Sequence, residues 1–559
     1  MNAVNLAPRY DPKPIETRWA QAWLDDRLGA PPGPGPAQAV RRPYVMMIPP
    51  PNVTGSLHMG HALNNVLQDA LARWRRMAGD DVLWLPGTDH GGIATQNVVE
   101  KHLGGTRQVL GRKDFLKWTR KWGEDTSATI LMQLRRLGCS CDWDRRRFTM
   151  DETCSNAVTA AFIRLYDEGL MYRGPRMVNW CVRCGTVLDE FEVEHEDRAG
   201  HLWHIRYPLV SLAPGGGEGG GEGIVVATTR PETMLGDTAV AVHPADERYR
   251  HLIGKTLRLP LMNRDIPVIA DAAVDPAFGT GAVKVTPAHD PNDCEIAGRH
   301  GLPFVDVIDR DGEINLLVGE PYAGLSREKC REQVVKDLEA GGFLVKVEPY
   351  RHAVGVCYRC LTVVEPLISE EWFLRVDTLA RRAEEAIRSG KVRFHPHSWQ
   401  GPALDWLDHI RDWCVSRQIW WGHRIPIWYC GDCHGKNIHL IFSAEANSPD
   451  GKIKNMVGGS YRLSREAGFS HEQLIDMVER VMVQVKVAEG GSPGIAAGKS
   501  MPDACERGHH AWIQDTDVLD TWFSSALWPF STLGWPEKTP DMARYCPGHT
   551  LVTGYEILY

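Results

Sequence analysis

The chain of 559 residues has no apolar run approaching the roughly 20 residues that a membrane-spanning helix needs. This sets aside a membrane role. Residues 1–10 lack a basic stretch followed by an apolar one, so export is not expected and the cytoplasm is the expected location. No large excess of positive charge is present. The formal net charge is −8, so contact with nucleic acid would need local patches. Arg135-Arg136 and Arg145-Arg146-Arg147 are the candidates, though each by itself reads more readily as a solvated helix end. No internal repeat is visible. With 43% hydrophobic and 24% charged residues, the composition is that of a soluble globular protein of roughly three to four domains.

Six of the 14 cysteines fall in Cys-x-x-Cys pairs: Cys181/Cys184, Cys357/Cys360 and Cys430/Cys433. In a cytoplasmic chain such pairs read as metal ligands and not disulfides. The first two pairs together supply the four soft ligands of a tetrahedral zinc site. The third has its best partners in Cys505 and His509, with His510 able to substitute. Closed four-ligand shells of this kind are structural.

The most informative stretch is residues 49–61, PPPNVTGSLHMGH. It follows a strand-like run at 44–48 and precedes a segment at 62–77 with helical spacing of Leu63, Val66, Leu67, Ala70 and Trp74. A strand, a tight loop and a helix start form a setting for an anion, because the helix offers free N–H groups and the positive end of its dipole. His58 and His61 can donate to phosphate oxygens, and Gly60 leaves room for a flat ring. Residues 82–86 read as the second strand of a βαβ unit. Ligands bind beyond the carboxyl ends of such strands, which places Asp89 and His90 beside the histidine loop.

Four regions are expected. They are an N-terminal helix and proline- and glycine-rich linker (1–43), a parallel α/β unit (44–192), a β-rich insertion (193–350), and a return to α/β character with further cysteine knuckles (351–559). A glycine-rich tract at 213–223 reads as a surface loop, and 444–502 is weakly patterned.

The stretch at 49–61, followed by GTDHGGIATQ at 87–96, resembles the HIGH region of class I aminoacyl-tRNA synthetases, and within that class its valine-specific branch. DWCVSRQIWWGHRIP at 412–426, DVLDTWFSSALW at 517–528 and VTGYEIL at 552–558 extend the resemblance in order along the chain. It implies an incomplete Rossmann-type parallel sheet with an inserted editing domain and zinc knuckles. It also implies ATP with Mg²⁺, valine and tRNA(Val) as partners, a monomer, and one or two structural Zn²⁺ ions. His58, Gly60 and His61 would hold the nucleotide, and Asp89 suits the ammonium of the amino acid. Pro49, Asn52, Trp522 and Ile557 would line the valine pocket.

An apolar pocket that accepts valine cannot strongly reject threonine, so a second, hydrolytic site is expected. TTRPET at 228–233 and FGTGAVKVTPAHDPND at 278–293 are similar to the family's editing domain. By that resemblance Arg230, Thr233, Phe278, Lys284, Thr286, Asp290 and Asp293 form the site, with Asp293 holding the ammonium. The same residues also read as a strand-end turn and a helix N-cap.

No lysine-containing KMSKS-like loop is present in the sequence. The expectation is a fragment of a longer ligase, with a companion polypeptide possible and aminoacylation by this chain alone defective. A stand-alone editing deacylase and a zinc-stabilised tRNA-binding module are the alternatives.

Overall fold

The computed structural model describes residues 9, 11–31, 41–105, 107–210, 223–430, 438–442, 483–487, 495–505, 508 and 512–557. Helix α1 (Pro12–Asp25) starts on its Asp11 cap. Strands β1 (Pro43–Met47) and β2 (Asp81–Leu85) pair in parallel, from Pro43 opposite Asp81 to Met47 opposite Leu85, with helix α2 (Met59–Met77) as the crossover. Both strands are near-continuous apolar runs, which suits a strand covered on both faces. Met46, Ile48 and Trp84 face Ile130 and Leu134 of helix α4 (Arg112–Arg136). The alternate residues Val45, Met47, Leu83 and Leu85 face Trp528, Leu533 and Tyr545. Helix α3 (Gly92–Leu103) precedes α4, and α5 (Glu152–Asp167) follows it. On the far side of β1, Met46 bridges Thr550 in parallel, and the His549 N–H donates to the Val45 carbonyl at 2.9 Å. The expected parallel α/β unit is thus closed by residues from the far end of the chain.

The segment at 62–77 is helical, as its spacing predicts. Its apolar stripe is not the buried face: Leu63, Val66, Leu67 and Trp74 are exposed, whereas Asn65, Gln68 and Ala72 are buried. The polar pair is partly satisfied locally, with Asn65 Oδ1 lacking a partner among the described residues. Gln68 Oε1 accepts from Trp84 Nε1 at 2.9 Å, and Asn65 Nδ2 donates to the His61 carbonyl at 2.8 Å. The arginine clusters are also largely engaged within the fold. Arg135 stacks on Trp143, Arg145 pairs with Asp142 and Asp541, and Arg147 lies 3.8 Å from Asp151, leaving Arg136 and Arg146 exposed.

Strand β3 (Met171–Cys181) leads to a long ribbon. Its outgoing strand is β4 (Val193–Pro208), which continues into β5 (Gly223–Thr228). The insertion then packs β6 (Ala239–Val242) between β7 (Arg264–Ala270), in parallel, and β8 (Ala282–Val285), antiparallel. Helices α6 (Pro291–His300) and α7 (Arg327–Ala340) complete it. Ile205, Tyr207, Val226, Leu235, Val240, Ile266, Val307 and Val334 belong to a core of its own. The chain returns on β9 (Leu344–Cys357), antiparallel to β4, so that Val193 faces Cys357, and β9 runs unbroken through residue 350. Strand β10 (Glu365–Leu374) pairs with β3. Strands β11 (Ile427–Cys430) and β12 (Trp512–Gln514) pair next, and α8 (Thr521–Ser531) follows. Most of the glycine-rich tract and most of 444–502 lie outside the described residues. Among the described residues no helix is long and apolar enough to cross a membrane.

Trp84 is fully buried and links the sheet to α2. Trp84→Ala is expected to lower unfolding free energy by roughly 3–5 kcal/mol, the range for deleting a buried indole, read as a lower denaturant midpoint for the β1–β2 unit.

Candidate functional site

The loop after β1 leads into α2 through a reciprocal cap made of two histidines. His58 Nδ1 accepts from the Gly60 N–H at 3.1 Å, and His61 Nδ1 accepts from the His58 N–H at 3.3 Å. The rings lie 4.0 Å apart, centroid to centroid. With both Nδ1 atoms accepting, the hydrogen-bond pattern assigns two neutral rings that carry their proton on Nε2. Burial, and then the neighbouring His58, lower the His61 pKa, which keeps that ring neutral. The helix start therefore offers two Nε2–H donors beside its own free N–H groups. A Cβ at Gly60 would meet His58 Cε1 at 3.0 Å, so glycine is what lets the His58 ring fold back.

Asp89 lies past β2 and is buried, and its backbone bridges Asn52 in parallel. Oδ1 accepts from the Gly91 N–H at 3.0 Å and from Thr149 Oγ1 at 3.2 Å, with His90 Nδ1 3.1 Å away. Oδ2 accepts from Ser525 Oγ at 2.5 Å. Burial alone would raise this carboxyl, but the bonds from His90, Ser525 and Gly91 outweigh it and hold the pKa below the ordinary value. Asp89 is therefore an anion, and among the described residues Ser525 is the one hydrogen-bond donor to Oδ2. Gly91 and Gly92 have positive φ values, +67° and +34°. A Cβ on Gly92 would lie 2.2 Å from Thr521 Oγ1, so only glycine lets the starts of α3 and α8 touch. Trp522 on α8 is 46% exposed, and Asn52 is exposed with its amide beside Gly91. Pro49 is partly buried after β1. Ile557 is partly buried in a short 3₁₀ helix (Tyr555–Ile557), and Asn64 of α2 donates to the Val552 carbonyl at 3.1 Å.

At the base of the ribbon, the sulfur atoms of Cys181, Cys184, Cys357 and Cys360 all lie within 4.8 Å of one another. Cys181 Sγ is 3.5 Å and Cys184 Sγ 3.7 Å from Cys360 Sγ. Tetrahedral zinc with bonds of about 2.3 Å places its sulfurs about 3.8 Å apart, so the cluster fits such an ion. The Cys184 N–H donates to Cys181 Sγ at 3.3 Å, in the manner of a knuckle turn. In the other proposed set, Cys430 and Cys505 share one buried cluster with Trp512. Cys433 and His509 lie outside the described residues.

The insertion gathers a second polar cluster. Lys284 Nζ donates to Thr286 Oγ1 at 2.5 Å and to Thr233 Oγ1 at 2.9 Å, and lies 3.4 Å from Asp237 Oδ1. The Thr286 N–H donates to Asp293 Oδ2 at 2.8 Å. Asp290 caps α6, accepting from the Asn292 and Asp293 N–H groups. Burial and the adjacent Asp290 push Asp293 up to about 7. Arg230 is committed to Glu232 and Glu365, and Phe278 stands 47% exposed with its ring edge-on to Tyr350.

Residues 34–458 and 464–559 match the family described as tRNA synthetases class I (I, L, M and V). The chain belongs to the class I tRNA synthetases. Its similar relatives include the valine–tRNA ligases of Geobacter sulfurreducens and Thermotoga maritima. Each is 49% identical over 558 residues, covering 99% of this chain and 55% and 56% of the relative. The chain thus spans about half the length of the curated relatives it matches. Among solved structures it is similar to the LeuRS–tRNA–LeuAMS complex of Agrobacterium radiobacter K84, with a TM-score of 0.44 at 18% identity over 98% of this chain and 64% of that one.

Against this synthetase frame, sequence reasoning missed three residues. Ser525 lay inside a quoted run with no signal for its contact to Asp89. Thr149 lies 60 residues from its partner, and Asp237 stands four residues past Thr233 outside any motif.

Asp293 also carries a pH signature. Between its ordinary pKa near 3.8 and about 7, an unfolded chain ionises this group while the folded one keeps the proton. Its contribution to stability therefore falls as pH rises through that window. Asp293→Asn keeps an acceptor for the Thr286 N–H but removes the titration. Its melting temperature relative to wild type is expected to rise from pH 5 to pH 8; a constant difference would contradict the raised pKa.

Proposed function

We propose that the chain carries the valine-activating and editing sites of a valine–tRNA ligase. Valine and ATP enter the first site, tRNA(Val) receives the aminoacyl group, and the insertion hydrolyses threonyl-tRNA(Val). The observation that carries this reading is Asp89, an anion held by Ser525, Gly91 and Thr149 where α3 and α8 meet, its backbone bridging Asn52 in the loop that leads to the histidine-capped start of α2. The likeness to valine–tRNA ligases along nearly the whole chain supports valine as the amino acid.

The substrate ammonium would pair with Asp89, leaving its own carboxylate free. A carboxylate oxygen attacks the α-phosphorus of ATP. One P–O bond forms, the bond to the β-phosphate oxygen breaks, and pyrophosphate leaves. The Nε2–H donors of His58 and His61 and the α2 N–H groups would stabilise the charge on the phosphates, a job of positioning and electrostatics. ATP would bring Mg²⁺ with it. Pro49, Asn52, Trp522 and Ile557 would shape the side-chain pocket.

In the insertion, Lys284 would fix the Thr233 and Thr286 hydroxyls for the substrate hydroxyl. Asp293 would take the ammonium, and an ordered water would attack the ester carbonyl and release free threonine. Arg230 and Asp290 would hold the walls of this site, with Phe278 at its edge. A zinc ion held by Cys181, Cys184, Cys357 and Cys360 would tie the two strands at the base of the ribbon; its chemistry there is structural cross-linking. The Cys430, Cys433, Cys505 and His509 set is the second zinc proposal.

Calorimetry with a valyl-sulfamoyl-adenosine probe is expected to show saturable binding that Asp89→Asn weakens at least about tenfold, or about 1.4 kcal/mol. Equal affinity in the two proteins would refute the anchor. Hydrolysis of threonyl-tRNA(Val) is expected from the wild-type chain and not from Asp293→Ala; full activity in the variant would remove Asp293 from the site. Elemental analysis is expected to find at least about one zinc per chain, and about one fewer in Cys181→Ser/Cys184→Ser. Absence of zinc from the purified wild type would overturn the metal reading.

A further inference from the structure

A chain of buried and part-buried charges runs from the four-cysteine cluster to the start of α8. Arg359 sits between Cys357 and Cys360 and pairs with Glu192. The Tyr358 N–H donates to the Glu192 carbonyl at 3.1 Å, and Glu192 Oε2 accepts from the Asp189 N–H at 2.9 Å. Arg417, 2% exposed, faces this acidic pair: its Nη2 lies 2.8 Å from Asp189 Oδ2 and 4.0 Å from Glu192 Oε2. The same guanidinium pairs with Asp520. Its Nη1 donates to the Cys414 and Ser416 carbonyls at 2.8 and 3.0 Å, which fixes the fork in place. Asp520 is the N-cap of α8, and its Oδ1 accepts from the Trp522 N–H at 2.7 Å. One turn on, Ser525 holds Asp89.

Resting on the proposed valine site, we infer that Arg417 is a positioning residue for that site. It sets the cap of the helix that carries Trp522 and Ser525, and Arg359 ties its acidic partners to the cysteine cluster at the base of the insertion. The physical reason is that Arg417 is a single buried cation shared by three carboxylates from two distant segments. Separation of the segments would leave Asp520, 4% exposed, without the cation that faces it, whereas Glu192 keeps Arg359 and Asp189 is 32% exposed. A planar fork can satisfy several carboxylates at fixed angles, which a lysine cannot. The start of α8 is therefore fixed by the geometry at the ribbon base as well as by its own cap. Arg359 touches neither Trp522 nor Asp89, but the cysteines on either side of it also pack with Ile93 of α3 and with Val518, so the route through Arg417 and Asp520 is isolated by a double-mutant cycle and not by Arg359→Gln alone.

The test is a double-mutant cycle with Arg359→Gln and Asp520→Asn, where asparagine still caps the helix but carries no charge. Arg359→Gln is expected to weaken valyl-sulfamoyl-adenosine binding by about tenfold, or about 1.4 kcal/mol, while AMP affinity stays within about twofold. Hydrogen exchange at residues 521–531 should quicken, and exchange in α5 should not. In the Asp520→Asn background, Arg359→Gln should add nothing. Unchanged probe affinity and exchange in Arg359→Gln, or losses that multiply in the double variant, would overturn the inference. If Arg359→Gln does not fold, Arg359→Lys is compared instead, with a smaller loss of the same kind expected and an unchanged pocket again counting against it. A wild-type chain that binds no probe refutes the valine reading, and the exchange arm then decides the inference alone.

Discussion

Asp89 is a charged carboxylate with almost no access to water, and that state is possible only inside a ring of fixed donors. The donors come from the Gly91 backbone, from Thr149 and from Ser525, so the chain must bring together positions as far apart as 89 and 525. Much of the surrounding architecture serves that meeting. The positive-φ pair Gly91-Gly92 lets the starts of α3 and α8 touch. Gly87 leaves space that a Cβ would deny to the Trp528 ring, at 2.3 Å, and Trp528 Nε1 then reaches the Ile48 carbonyl at 3.1 Å. Asp81, at the other end of β2, is met by Arg544 and by Tyr545 at 3.2 Å. The sheet of β1 and β2 and the far end of the chain are thus fastened at both ends by polar contacts and between them by an apolar layer.

The same constraint orients the insertion. Glu365 on β10 belongs to the body of the protein. It accepts from Arg230 at 2.5 Å and from Arg327 at 2.8 Å, both of them insertion residues. Arg230 also reaches Glu232, which takes two bonds from Arg331. Removing any one of these groups would strand a buried charge, a cost well above what an exposed pair contributes. The insertion is therefore held by a directional network of charges at its junction as well as by the ribbon and its cysteines. This bears on Arg230, proposed for the hydrolytic site: its Nε, Nη1 and Nη2 face Glu232, the His289 carbonyl and Glu365, so it also carries the junction.

Legibility in the sequence followed the range of the interaction. The strand at 82–86, the helix start at His58 and the cysteine pairs were readable because each depends on neighbours within a few residues. The family was readable because several short motifs recur in order. The orientation of α2 was not. Its strongest apolar stripe faces outward among the described residues, while Asn65 and Gln68 turn inward because Trp84 and the His61 carbonyl offer them partners. Periodicity measures only the stripe and is blind to those partners. Ser525, Thr149 and Asp237 were unreadable for the same reason, since nothing in their local sequence distinguishes a hydroxyl or carboxyl that meets a charge from one that meets water.

Two carboxylates proposed to meet the same substrate group are prepared in opposite ways. Asp89 is ionised before any ligand arrives, because donors outweigh its burial. Asp293 is poorly supplied: a single backbone N–H faces burial and a neighbouring Asp290, and its proton is held up to about 7. An ammonium arriving at Asp89 finds its counter-charge in place, so binding there needs no proton movement near neutral pH. An ammonium arriving at Asp293 must displace a proton from part of the population, so occupancy of the insertion is coupled to pH where that of the first site is not. On the proposed reading this asymmetry has a direction: the Asp89 site is preorganised for an ammonium before one arrives, whereas the Asp293 site gains its full charge as a cation enters.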